Sequence, residues 1–364
     1  MPKIIEKKYT TTSFNSDDTK VYISNNNTGV SYLYDFVLKT KTDINVSGLK
    51  VFSSAFSDDN IHIAVLLYNG HSSNLEEILV IECDSGIVVK KICLKDYIKK
   101  EFSVVTKIQF INNMIVASFQ YSDASGAIVI NIDLKKNFLV QTRTFNNTLI
   151  HCLQCIKDNV LLLCTKDNSN YLYLLNSNNL QKQDEISFKK GVIYFSNMFI
   201  CSDKIYLVAL INCLFKLHPK SRNYIMSDVD IVSDSIKLNI CSLIKERKLP
   251  IPEQFLFGKG YLLGTKTTRY CSKKRVLGVY SIDSLESVGE FMHSNQNIYF
   301  LNMLKKVDML SASAIEFSQG EIFYGFFLSP TGKYLHLTTN KNTYILDTPK
   351  SFLELLDKHN QMLV

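Results

Sequence analysis

Short apolar stretches, broken by clusters of Asp, Asn, Ser and Gly, run along the whole chain. Within them β-branched and aromatic residues alternate with polar ones, the period of a half-buried strand. The clearest instance is Phe327-Leu328-Ser329-Pro330-Thr331-Gly332-Lys333-Tyr334-Leu335, continuing through Leu337-Thr338-Thr339-Asn340 to Asn342-Thr343-Tyr344-Ile345-Leu346-Asp347. It predicts strand, tight turn, strand, polar turn, strand. Looser copies recur at roughly 40 to 70 residues, a repeat length that marks a radial or stacked array. The first turns at Asn15-Ser16-Asp17-Asp18, with a strand over residues 30–35; the second turns at Ser57-Asp58-Asp59-Asn60, with strands over 61–67 and 78–84. The third turns at Asn112-Asn113, before a strand over 127–133. The fourth turns at Lys157-Asp158-Asn159, before strands over 160–164 and 171–176. The fifth turns at Ser202-Asp203, with strands over 204–210 and 213–217, and the sixth at Gly258-Lys259-Gly260, with a strand over 276–283. Fourth strands fit at residues 87–94, 138–145, 182–188 and 286–292.

Seven such units predict an all-β chain folded as a seven-bladed β-propeller. The last unit stops short, because Pro349 interrupts it and residues 351–356 read as a helix. Residues 4–9 can supply the missing fourth strand. That pairing would close the ring and remove two exposed sheet edges. The expected organisation is one propeller domain over residues 1–349 and a short helical tail over 350–364. In that tail Phe352, Leu355 and Leu356 would anchor a neighbouring subunit or cap the ring.

The pattern resembles the WD-repeat family of β-propellers over residues 4–348, best at 14–35, 56–86 and 327–347. The likeness is degenerate. There is no Trp, so Tyr34 and Tyr344 fall where the family carries one, and the only Gly-His is Gly70-His71, misplaced within its unit. The resemblance therefore implies the fold and a scaffold role, and it transfers no individual functional residue.

Length, charge and cysteine usage narrow the setting. The 364 residues are 46% hydrophobic, with no apolar run long enough for a membrane span. The charged start Met1-Pro2-Lys3-Ile4-Ile5-Glu6-Lys7-Lys8 lacks the apolar core of a signal peptide, which predicts a cytosolic or nuclear protein. Nine irregularly spaced cysteines do not form a disulfide framework. Cys83, Cys93, Cys164, Cys201 and Cys213 lie among strand residues and read as small hydrophobes. Cys152-Leu153-Gln154-Cys155 is the one Cys-x-x-Cys; a strand here points the two thiols to opposite faces, and zinc would need a second pair.

Phosphate-loop, nucleophile-elbow, zincin and EF-hand motifs are all missing, so no catalytic, cofactor or metal residue is assigned. Recognition is expected on the face that carries the loops between second and third strands and the connections between units. The candidates there are His71 and Asn74, Tyr121 and Asp123, and the basic cluster Lys266, Arg269, Tyr270, Lys273, Lys274 and Arg275. Residues 227–254 and 297–320 are long connections. The former carries a helical stripe of Ile236, Ile240, Leu243 and Ile244 with Ser233 or Asp234 as cap, and the latter carries Lys305 and Lys306. Either segment would pack down over the blades or dock a partner. A net charge of +7 favours acidic partners. The expected partners are other protein subunits, docked as a peptide or helix. The alternative is nucleic acid or an anionic membrane, held by the basic loop of the sixth unit.

Overall fold

The computed structural model describes residues 4–7, 10–46, 48–69, 75–98, 100, 102–167, 169–188, 193–201, 204–211, 223–232, 235–239, 251–256, 261–267, 275–281, 287–294, 297–302, 309–314 and 323–348. The chain divides into two compact units, Thr11–Lys248 and Met1–Thr10 with Leu249–Val364.

The chain opens with β1 (Ile4–Lys7), which belongs to the smaller unit. The larger unit is a series of four-stranded antiparallel meanders. The first sheet holds β2 (Thr10–Phe14), β3 (Lys20–Asn25), β4 (Val30–Asp35) and β5 (Thr40–Ile44); the second holds β6 (Lys50–Phe56), β7 (His62–Tyr68), β8 (Leu75–Glu82) and β9 (Val88–Cys93). The third holds β10 (Phe102–Ile111), β11 (Met114–Tyr121), β12 (Gly126–Asp133) and β13 (Leu139–Asn146). The fourth comprises β14 (Thr148–Ile156), β15 (Asn159–Lys166), β16 (Ser169–Asn176) and β17 (Lys182–Phe188). The fifth comprises β18 (Ile193–Cys201), β19 (Lys204–Ile211), β20 (Asn223–Val232) and β21 (Ser235–Asn239). The leading strands β6, β10, β14 and β18 lie side by side in that order.

Strand alternation builds the core between these sheets. Ile63, Val65 and Leu67 of β7 face the first sheet and pack on Tyr22 and Leu33, while Ala64 and Leu66 face the third and pack with Ile115, Ala117 and Phe119. On β11, Met114 and Val116 point the other way, into a cluster with Leu153, Val160 and Leu162 of the fourth sheet. A strand buried on both faces must be apolar at every position, which is why Ile63-Ala64-Val65-Leu66-Leu67 and Leu161-Leu162-Leu163 read as continuous runs.

In the smaller unit, β22 (Ile251–Leu256), β23 (Tyr261–Thr267), β24 (Arg275–Ser281), β25 (Ser287–Ser294), β26 (Asn297–Asn302) and β27 (Met309–Ala314) form a six-stranded sheet. The last sheet is β28 (Phe323–Leu328), β29 (Tyr334–Thr339) and β30 (Asn342–Asp347), completed by β1. Ile4, Ile5, Glu6 and Lys7 pair with Ile345, Tyr344, Thr343 and Asn342. Of the strand expected at residues 4–9, Ile4–Lys7 supplies the fourth strand of the last sheet, and residues 8 and 9 lie outside the described residues.

The repeat read from the sequence has a common hydrogen-bond pattern. In three sheets the first hairpin opens on Asn15, Ser57 or Ser329. That residue's N–H donates to the carbonyl five positions on, at Lys20, His62 or Tyr334. The N–H three positions on returns to its carbonyl, from Asp18, Asn60 or Gly332. Its side-chain oxygen also accepts the N–H of Lys20 (2.8 Å), His62 (2.9 Å) or Tyr334 (2.9 Å). The turn needs a left-handed residue, supplied by Asp18 (φ 60°), Asn60 (φ 60°) and Gly332 (φ 82°). Asp, Asn and Gly tolerate that region.

Three expectations change. The cap-like Ser233-Asp234 followed by apolar residues suggested a helix, yet β20 and β21 pair there with Val232 opposite Ser235. Ile236 and Leu238 alternate there at the strand period, opposite Ile231 and Val229, while Ser233, Asp234, Ile240, Leu243 and Ile244 lie outside the described residues. The third strand of the fifth sheet is Asn223–Val232; the one expected at 213–217 lies outside the described residues. The connection expected at 297–320 contributes β26 and β27, widening the sixth sheet beyond four strands. The expected tail helix at 350–364 also lies outside the described residues.

Candidate functional site

The loop between β11 and β12 is set by its own backbone. Ala124 adopts φ 55° and donates its N–H to the Tyr121 carbonyl at 3.1 Å, while the Ser125 carbonyl accepts the Asn147 N–H at 2.8 Å. Asp123 projects from this turn and accepts the Ser125 N–H at 2.9 Å. Lys100, from the connection between the second and third sheets, reaches over the loop. Its Nζ lies 3.3 Å from Asp123 Oδ2 and donates to Ser125 Oγ at 2.8 Å, 5.1 Å from the centre of the Tyr121 ring. The structure thus joins two residues singled out from the sequence, Tyr121 and Asp123, and adds two that were not, Lys100 and Ser125.

Hydrogen bonds from the Ser125 hydroxyl and N–H hold the Asp123 carboxyl below its ordinary value, with Lys100 adding to the effect. Asp123 and Lys100 are both solvent-exposed, while Tyr121 is buried and packs its ring into the core cluster. The arrangement offers a carboxylate, an ammonium and a hydroxyl on a turn anchored by an aromatic side chain.

Polar side chains brace the sheets beneath these loops. Gln120 Nε2 donates to the carbonyls of Gly126 (2.6 Å) and Thr148 (3.3 Å), and its Oε1 accepts the Ile150 N–H at 3.2 Å. Gln109 does the same lower down, donating to Gln154 Oε1 and accepting the Cys155 N–H, both at 2.9 Å. Asn26 exchanges two bonds with the Val51 backbone, its Nδ2 donating at 2.9 Å and its Oδ1 accepting at 2.8 Å. Gly126 could be no other residue without rearrangement: at φ 152° a Cβ would sit 2.2 Å from the Phe145 carbonyl oxygen. At the opposite ends of the strands the hairpins are also linked, Asn60 to Asp17 (3.3 Å) and Asn112 to Asp158 (2.9 Å).

The other expected site residues fare differently. Lys266 and Arg275 are strand residues of β23 and β24, opposite Val276 and Thr267, where a loop was expected. The alternating Gly264-Thr265-Lys266-Thr267 prolongs the strand past the point where charge suggested a turn. Arg269, Tyr270, Lys273 and Lys274 between them, His71 and Asn74 between β7 and β8, and Lys305 and Lys306 between β26 and β27 lie outside the described residues. Cys93 is exposed, against the expectation of a packed thiol, because it ends the outer strand β9, in which Ile92 alone is buried. Cys83 and Cys164 are buried, and burial pushes each thiol up to about 12, leaving both un-ionised near neutral pH. Among the described residues no three His, Cys, Asp or Glu side chains converge as metal ligands, and no helix is long and apolar enough to cross a membrane.

No family model matches the chain, and no curated protein matches it by sequence. Solved structures share its arrangement. The β-propeller domain of Cps50 (Swd1) from Myceliophteria thermophila superposes with a TM-score of 0.52 at 9% identity, covering 93% of this chain and 97% of that one. A hydrazine synthase structure from Kuenenia stuttgartiensis gives 0.49 at 11% identity, covering 93% and 94% of the two chains. A chain of a mitotic checkpoint complex gives 0.46 at 8% identity, covering 96% and 92%. The first likeness speaks for the fold alone, and the two below 0.5 carry no argument.

Proposed function

We propose that this WD-repeat-like β-propeller is a non-catalytic docking subunit of a multiprotein assembly in the cytosol or nucleus. In this reading residues 1–349 form one ring of seven blades. The partner is a peptide or helix received by the loops between second and third strands and the connections beside them. The observation that carries it is the Lys100–Asp123–Ser125 cluster over Tyr121, where a connecting segment and a strand-to-strand loop meet as a set of fixed polar groups. Fixed loops lower the ordering cost of association, which is what a docking surface needs. The ring is supported by β1, which carries the start of the chain into the sheet formed by its end.

The test is affinity purification of the full chain from its native cell, with mass spectrometry, alongside Asp123→Lys and Lys100→Glu variants. A co-purifying set of proteins that the wild type retains, and that either variant depletes by about tenfold, is the expected result. A wild-type chain that elutes alone as a monomer under gentle conditions would refute docking. Retention of nucleic acid that falls steeply with salt would favour a nucleic-acid-binding role for the basic segment around Lys266 and Arg275.

A further inference from the structure

A second surface feature lies on the flank between the third and fourth sheets. A cavity of about 250 Å³ opens there, lined by Arg143, Lys166, Lys182, Phe145, Tyr173 and the polar residues around Thr148. Three cations line it and no carboxylate does. Lys182 is offset by Glu185 at 2.8 Å, but among the described residues no carboxylate pairs with Arg143 or Lys166. Like charges around one hollow raise the local positive potential, which favours an anion there.

Arg143 is held ready. One guanidinium nitrogen donates to the Leu180 carbonyl at 2.6 Å, and the group lies 5.4 Å from the centre of the Phe145 ring. Phe145 stacks on Tyr173 (centroids 5.9 Å, 21° between planes), which stacks in turn on Tyr171 (5.6 Å, 20°). The bonded and stacked guanidinium keeps its other N–H donors in a fixed fork, the geometry that recognises phosphate oxygens in pairs.

Size and surroundings narrow the ligand. The cavity is smaller than the roughly 300–1,000 Å³ of sites that enclose a whole small molecule, so it suits one anionic group and the short stem that carries it. Among the described residues, the one carboxylate held against a lining residue is the exposed Glu185, which shares the Tyr173 side of the sheet and pairs with Lys182. β13 is the outermost strand of its sheet, with Thr142, Thr144 and Asn146 exposed along it. An extended peptide can pair with such an edge and direct every second side chain into the hollow. We infer that this notch binds the phosphoryl group of a phosphoserine or phosphothreonine in an extended peptide segment.

This site is separate from the loop cluster around Asp123 and stands or falls without it. The probe is an immobilised degenerate peptide library with a fixed central phosphothreonine, compared with the same library carrying threonine, against the full chain. The phosphorylated library should retain at least about tenfold more protein. Millimolar inorganic phosphate should compete. Arg143→Gln and Lys166→Gln should each cut retention about tenfold, while Asp123→Lys leaves it unchanged. Thermal melting of each variant checks its fold, and the surface change Lys166→Gln keeps the test decisive if Arg143→Gln is unstable. Equal retention of both libraries would overturn the inference, as would phosphorylated-library binding that survives both substitutions. Preferential binding to phosphoinositide vesicles or to a single-stranded oligonucleotide would overturn it too.

Discussion

The third and fourth sheets and the last sheet are built from the same strand pattern but held together by different means. Within each of the sheets β10–β13 and β14–β17 the strands pair in sequence order, and Gln109, Gln120, Asn131 and Arg143 reach across from one sheet to the next. The last sheet takes three strands from one end of the chain and its fourth from the other. Local pairing costs little loop-closure entropy, whereas β1 must be brought back across the whole chain before its bonds form. The first region should therefore be the stable one, sensitive to packing and to buried hydrogen bonds. The last sheet should be the region whose integrity depends on a single long-range strand.

The largest effect should come from cutting the shared core. Leu162 is fully buried between the third and fourth sheets, and Leu162→Ala should cost about 2–5 kcal/mol in urea unfolding through lost burial and the cavity left behind. A cost below about 1 kcal/mol would mean that these sheets do not share one packed layer. Next comes the polar brace. Gln120→Ala would leave the buried Ile150 N–H without its acceptor and should cost about 1–3 kcal/mol.

In the last sheet the sensitive feature is titration. His336 on β29 is buried, and burial pushes its pKa down to about 3. Between the ordinary imidazole value and that lower one, the unfolded chain binds a proton that the fold refuses. Stability is therefore full at neutral pH and declines as pH falls below about 6.5. Unfolding midpoints at about pH 7.5 and 5.5 should differ more for the wild type than for His336→Gln. An equal drop in both would remove His336 from the account. The smallest effect belongs to the exposed pair: Lys100→Ala should change stability by less than about 1 kcal/mol, so any loss of partner binding reports recognition and not folding.

The hairpins were legible in the sequence for a physical reason. Asn15, Ser57 and Ser329 each satisfy three backbone groups of their own turn, so the signal lies within a few adjacent residues. The spare strand at the chain's start was legible too, because the last unit lacked one. The helix expected around Ile236 misled because the pairing with β20, not the spacing of the apolar stripe, makes residues 235–239 a strand. β26 and β27 were missed because their pairing only widens a sheet that already had four strands. Of the loop site, Tyr121 and Asp123 were visible beside a turn, but Lys100 arrives from another sheet and only the fold brings it near. The notch of Arg143, Lys166 and Lys182 had no sequence signature at all. Its residues come from three strands of two sheets, and strand alternation, not spacing along the chain, puts them on one hollow.

The central claim is that the two ends of the chain share one sheet, and Lys7 opposite Asn342 allows a direct measurement. Antiparallel partners sit with Cα atoms about 4.5–5.5 Å apart, within reach of a disulfide. In a Lys7→Cys/Asn342→Cys variant, mild oxidation followed by proteolysis and mass spectrometry should recover a peptide pair linked between positions 7 and 342. Lys7→Cys/Lys333→Cys, with the second thiol on the hairpin before β29, should give none. A missing 7–342 link, or equal linkage in the control, would contradict the account.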